Sequence, residues 1–140
     1  MSRLLGIDLG SVRVGLAVTD PNRIIASPFK VLNFISSKEL VKEITDICRN
    51  MDVAEVVIGL PLREDGTEGP GCKNARELAS LLKDTQGIKA ELWDERYSSR
   101  IAESYMREMG IKQEKSRKYL DSVAASLILE NYMKYRDKKQ

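Results

Sequence analysis

The chain has 140 residues, 42% hydrophobic and 31% charged, which are the proportions of one soluble globular domain. Its 23 basic and 21 acidic residues leave a net charge of +2, too even to mark a nucleic-acid binder by charge alone. There is no histidine, which excludes Ser-His-Asp and Cys-His catalysis and any imidazole-ligated metal. Cys48 and Cys72 form neither a metal-finger spacing nor a disulfide framework, and free thiols fit a reducing cytosol. The apolar stretch from Leu4 to Leu9 is broken by glycine and aspartate. It lacks the shape of a signal peptide, and no segment is long enough to span a bilayer.

In chain order, two compact apolar runs, Arg3 to Leu9 and Val14 to Asp20, read as strands joined by a hairpin loop, Gly10-Ser11-Val12-Arg13. A third strand is expected from Ile24 to Leu32, entered from the turn Asp20-Pro21-Asn22. Ser36 or Ser37 can then cap a helix on which Leu40, Val41, Ile44, Ile47 and Cys48 recur at helical spacing. Val53 to Gly59 lacks alternation, the pattern of a strand buried on both faces. After a Gly- and Pro-rich loop from Leu60 to Gly71, the spacing predicts a helix from Asn74 to Lys83, ended by Gly87. Lys89 to Trp93 reads as another strand, followed by a helix from Ser98 or Ser99 to about Gly110. A basic linker, Lys112 to Lys118, leads to a last helix from about Tyr119 to Tyr135, with Val123, Ala124, Leu127, Ile128 and Asn131 to Tyr132 on its apolar face. Three antiparallel strands followed by alternating strands and helices predict an α/β fold with one mixed sheet and helices on both faces.

Acids stand at three places where chemistry can occur. Asp8 lies in Gly6-Ile7-Asp8-Leu9-Gly10, near the end of a central strand, where an ionised carboxylate is costly without a partner. The flanking glycines let a phosphate or metal approach the backbone. The alternative is that Asp8 only bonds to the hairpin after it. Asp94 and Glu95, with Arg96, follow a buried strand at its carboxyl end, where open α/β sheets bind ligands; the rival reading is a helix-entry pair favoured by the macrodipole. Asp121, taken alone, reads as a first-turn helix aspartate. The small residues Ser122, Ala124, Ala125 and Ser126 would let that helix lie close to the sheet.

Together the three acids say more. Carboxylates crowded at one place need a proton or a cation. Oxygen donors without imidazole or thiolate favour Mg²⁺ or Mn²⁺, and two such ions suit in-line displacement at a phosphodiester. The loop after the fourth strand carries Arg63, which can contact a phosphate or belong to an ordinary surface connection. Arg13, Arg63, Arg96, Lys112, Lys115, Arg117 and Lys118 fall in expected loops or at element ends, a candidate phosphate-contacting rim. The tail from Lys134 to Lys139 reads as a solvated helix end.

These residues bring a family into view. Gly6-Ile7-Asp8-Leu9-Gly10 with Arg13-Val14-Gly15-Leu16-Ala17 resembles the opening of the YqgF family, also called RuvX-type or Holliday-junction-resolvase-like proteins and pre-16S rRNA nucleases. Val57-Ile58-Gly59-Leu60-Pro61-Leu62 with Asp65-Gly66, then Asp94-Glu95-Arg96-Tyr97-Ser98-Ser99, then Asp121-Ser122-Val123-Ala124-Ala125 match its later blocks in order. Arg63-Glu64 stands where relatives often carry Asn-Met, and the linker Lys112-Gln113-Glu114-Lys115 is less basic and less glycine-rich than is typical. The resemblance implies a single ribonuclease H-like nuclease domain over residues 1–140, in the cytoplasm. It implies Asp8, Glu95 and Asp121 as catalytic and metal-binding residues for Mg²⁺ or Mn²⁺. The substrate implied is nucleic acid, RNA before DNA, with maturation of the 5′ end of pre-16S rRNA in ribosomal precursor particles as the task, carried out by a monomer or weak homodimer.

Rival readings use the same residues. A Holliday-junction resolvase cutting branched DNA needs the same acids and should dimerise to cut two strands symmetrically. Asp8-x-Gly10-x-x-x-x-Gly15 also resembles the first phosphate loop of the actin and sugar-kinase group, which needs two such domains where 140 residues give room for one. A non-catalytic nucleic-acid-binding module would use the acids only structurally.

Overall fold

The computed structural model describes residues 2–63, 65–94 and 113–139, with the side chains of 113–119 and 136–139 outside the description. Within these residues the elements run β1 (Arg3–Leu9), β2 (Arg13–Thr19), β3 (Ala26–Asn33), α1 (Ser37–Asn50), β4 (Val53–Leu60), α2 (Pro70–Gln86), β5 (Lys89–Asp94) and α3 (Gln113–Lys139). The strands form one sheet in the order β3-β2-β1-β4-β5. β1, β2 and β3 pair antiparallel, while β4 and β5 join in parallel. This is the expected mixed sheet. The helix expected from Ser98 or Ser99 to Gly110 lies outside the described residues.

Strand alternation divides the core into two layers. Leu5, Ile7, Val14, Leu16, Val56, Ile58 and Ala90 face α1 and α2, packed on Leu40, Val41, Ile44, Ile47, Ala75, Leu78 and Leu82. Leu4, Ala17 and Val57 face the other way, against Ala125, Ile128, Leu129 and Tyr132 of α3. The helices therefore cover both faces, and the central strands read as continuous apolar runs because each face is buried. Cys48 and Cys72 are buried free thiols, and burial pushes the Cys48 thiol up to about 11.

Local chemistry sets the boundaries. Ser36 caps α1, its hydroxyl accepting from the Glu39 amide at 3.2 Å. α2 starts at Pro70, four residues before the expected Asn74, because proline suits the first helical position with Gly69 as cap. It ends at Gly87, whose φ of 64° is left-handed, with the Ile88 amide donating back to the Leu82 carbonyl at 3.0 Å. The second strand stops at Thr19 rather than Asp20. The Asp20 carboxylate accepts from the Ile24 and Ile25 amides at 2.7 and 2.8 Å, so those two residues form the turn and the third strand begins at Ala26 instead of Ile24. Those backbone amides, Ile25 first, hold the Asp20 carboxyl below its ordinary value. The expected basic linker is helical from Gln113 onward; Gln, Glu, Lys and Arg are good helix formers, and no glycine or proline interrupts them. On α3, Leu129 takes the buried place expected of Asn131, which is exposed.

Candidate active site

Asp8 sits in the last turn of alternation on β1. Leu5, Ile7 and Leu9 point into the α1–α2 layer, so Asp8 shares the α3 side with Leu4 and Gly6. On β2, Val14, Leu16 and Val18 take the α1–α2 side, which leaves Arg13, Gly15 and Ala17 on the α3 side. Gly15 is the cross-strand partner of Asp8. The two residues stand side by side on one face, at the carboxyl end of β1.

α3 completes the arrangement because two glycines let it approach. A side chain on Gly6 would run into the Ala125 carbonyl at 2.8 Å and the Leu129 side chain. One on Gly15 would collide with the Asp121 carbonyl and come within 3.0 Å of the Asp121 Cβ. The backbone of α3 thus rests on β1 at Gly6 and on β2 at Gly15. Small residues on the helix contribute as expected, since Ala125 is fully buried at the first of these contacts. Asp121 is thereby seated over the residue that pairs with Asp8.

A cation is already present at this point. The Arg13 Nε donates to Asp121 Oδ2 at 2.7 Å, with the two side chains 30% and 24% exposed. Arg13 is held at the root of the β1–β2 hairpin, its carbonyl accepting from the Gly10 amide at 2.9 Å. It was expected on a phosphate-contacting rim; it lies at that edge but turned onto Asp121. Arg63 is exposed, and its Nη1 donates to the Glu68 carbonyl at 3.1 Å within its own loop. That loop is internally bonded: the Arg63 amide donates to the Thr67 carbonyl, and the Asp65 carboxylate accepts from the Thr67 amide and hydroxyl. Arg117 and Lys118 belong to the first turns of α3, in helix rather than linker; their side chains lie outside the described residues, as do Glu95 and Arg96.

Asp94 ends β5 on an exposed position. Ala90 and Leu92 face the α1–α2 layer, so alternation gives Asp94 that side, away from Asp8. Among the described residues, no three acidic or thiol side chains gather closely enough to hold a metal ion. Asp8 and Asp121 are two hard-oxygen donors on one face, and the third expected acid, Glu95, falls outside the description. The chemistry of this pair fits Mg²⁺ or Mn²⁺.

A second polar cluster escaped the sequence reading. The buried Tyr132 hydroxyl lies 2.8 Å from Glu55 Oε1 and 2.8 Å from Glu91 Oε2, tying α3 to β4 and β5. Burial first, then these bonds, pushes the Tyr132 phenol upward. Trp93 packs edge-on against Tyr132 and Tyr135, and its indole donates to Asn131 at 3.0 Å. The one sequence signal was Glu55 itself, a charge inside an apolar strand. A groove between α1 and α2, lined by Lys38, Lys42, Thr45 and Leu81 among others, opens on the opposite layer from the acids.

With this geometry in hand, comparison with known proteins is specific. A family model described as RuvX, Holliday junction resolvase, matches residues 2–135. A relative from Maridesulfovibrio salexigens named "Putative pre-16S rRNA nuclease" is 39% identical over 131 residues, covering 94% of this chain and 97% of that protein. One of the same name from Anaeromyxobacter sp. (strain K) is 40% identical over 134 residues, covering 96% and 98%. Among solved structures, the yeast mitochondrial Holliday junction resolvase Ydc2 matches with a TM-score of 0.62 at 11% identity, over 97% of this chain and 79% of that one. Thermus thermophilus RuvC in complex with a Holliday junction substrate matches with a TM-score of 0.52 at 14% identity, over 95% and 96%. At such identities the structures speak for the fold, which is the expected ribonuclease H-like one.

Proposed function

The chain belongs to the RuvX family, and from that premise we propose that it is a metal-dependent nuclease that hydrolyses RNA phosphodiester bonds in the maturation of pre-16S rRNA. The observation that carries the reading is the seat of Asp121 on Gly15, the cross-strand partner of Asp8. It brings two carboxylates from opposite ends of the chain to one face at the carboxyl end of β1. We assign Glu95, which directly follows the last residue of β5, as the third acid. Asp8, Glu95 and Asp121 would hold Mg²⁺ or Mn²⁺. Bound there, two ions would supply an activated water and stabilise the leaving oxygen.

The protein's own part is positioning. Asp8 is fixed by backbone in a central strand and Asp121 at a glycine contact, so these two ligands would be preorganised on rigid elements. Arg13, Arg63, Arg96, Arg117 and Lys118 are the candidates to grip phosphates. Such contacts set the register of the strand without reading its sequence. The names of the relatives support precursor rRNA as substrate. Two buried free thiols support a reducing compartment, the cytoplasm. No helix among the described residues is long and apolar enough to cross a membrane.

The family description and the resolvase neighbours favour a second substrate, branched DNA. One experiment separates the readings: cleavage of labelled single-stranded pre-16S rRNA and of a four-way DNA junction, in Mg²⁺ or Mn²⁺, by wild type and Asp8→Ala. We expect metal-dependent RNA cleavage that falls at least about a hundredfold in a folded Asp8→Ala. Paired, symmetric cuts in the junction with the RNA intact would transfer the assignment to a resolvase. Neither substrate cut by the wild type would leave a binding module.

A further inference from the structure

Arg13 and the proposed metal make claims on the same carboxylate. The guanidinium reaches Asp121 through a single contact, Nε to Oδ2 at 2.7 Å, and both side chains remain partly open to water. Arg13 shares the α3 face with Gly15 and Asp8, and its backbone is pinned by the hairpin bond from Gly10. Asp121 is equally constrained, because its own backbone lies on Gly15. Neither main chain needs to move for the pairing of the two side chains to change.

We propose that Arg13 is a positioning residue that neutralises Asp121 in the metal-free protein and exchanges it for a divalent cation when one binds. This rests on the metal-centre reading above and deepens it. Magnitudes favour exchange over a permanent bond. A partly exposed ion pair with one contact is weak, and several oxygen ligands to a divalent ion outweigh it. A guanidinium left beside the ion would also repel it. Once released, the planar guanidinium is a phosphate donor at the edge where substrate would lie. The contrasting arrangement keeps Arg13 on Asp121 while the other carboxylate oxygen ligates the ion, with Arg13 as an orienting partner.

The two arrangements predict opposite signs. Mn²⁺ binding to the full-length protein without nucleic acid is measured by calorimetry for wild type, Arg13→Gln, Arg13→Lys and Asp8→Asn. Exchange predicts that Arg13→Gln binds Mn²⁺ about fivefold tighter, that Arg13→Lys stays near wild type, and that Asp8→Asn binds more weakly. Unchanged or weaker binding by Arg13→Gln, with wild type binding and Asp8→Asn impaired, overturns the exchange and leaves the metal centre standing. No binding by wild type removes both. A measurement on the wild type covers the case of a variant that does not fold. The Nε–H nuclear magnetic resonance signal of Arg13, identified by its loss in Arg13→Lys, should shift on saturation with Mg²⁺. An unmoved signal at saturation overturns the proposal.

Discussion

Gly15 has no side chain at the point where the backbone of Asp121 lies against β2, and that absence decides where one of the proposed metal ligands stands. A methyl group there would meet the Asp121 carbonyl and Cβ, which belong to a helix packed along the sheet and cannot give way as a flexible side chain would. Gly15→Ala is expected to lower stability by about 1–3 kcal/mol, the usual range for overpacking. Displacing the carboxylate by even about 1 Å should slow cleavage about a hundredfold beyond any loss of folded protein. Urea denaturation followed by cleavage assays on the folded variant checks both. A Gly15→Ala protein with wild-type stability and rate would mean that α3 does not rest there.

The two acids after Trp93 should differ. Asp94 is exposed and falls on the α1–α2 side by alternation, whereas Glu95 is assigned to the metal. Glu95→Gln should lose at least about a hundredfold in cleavage rate, and Asp94→Asn should lose far less than Glu95→Gln. Equal activity of Glu95→Gln and wild type would remove Glu95 from the centre.

Tyr132 gives a pH signature unrelated to the metal. Its phenol, ordinarily near 10, is pushed upward by burial and by its bonds to Glu91 and Glu55. A raised value means that the neutral phenol favours the fold. That contribution is complete below pH 10 and declines as pH rises through 10 toward the raised value. Tyr132→Phe should therefore lose about 1–2 kcal/mol at pH 8 through the missing hydrogen bonds, and should show a shallower alkaline fall in melting temperature than wild type. Parallel falls from pH 9 to 11 in the two proteins would contradict the assignment.

Much of this architecture is legible in local chemistry. Arg3 to Leu9, the buried face of α1 and the glycine end of α2 follow from short-range patterns, and each is found as expected. The start of α2 was equally local, a proline at the first helical position, but the surrounding glycines read as loop. The turn at Asp20 shows a different limit: Ile24 and Ile25 look like strand, yet the Asp20 carboxylate captures their amides first.

The site is less legible because it is made by distance in sequence. Asp8 and Asp121 stand out as motifs, but nothing near either one shows that Gly15 joins them. The Arg13–Asp121 contact spans 108 positions and the Tyr132–Glu55 bond spans 77. Such pairs are set by the sheet order and by how closely α3 can approach. A basic residue beside a hairpin reads as a substrate contact until the helix brings a carboxylate to it.

The central claim is that Asp8, Glu95 and Asp121 converge on divalent metal. Crystals of the full chain soaked in Mn²⁺ and measured for anomalous scattering test it directly. The account predicts a strong anomalous peak on the face of β1 that carries Asp8 and Asp121, the residues that with Glu95 would hold the ion. Saturating Mn²⁺ that leaves that face of β1 without a peak, or places the ion elsewhere, would contradict it.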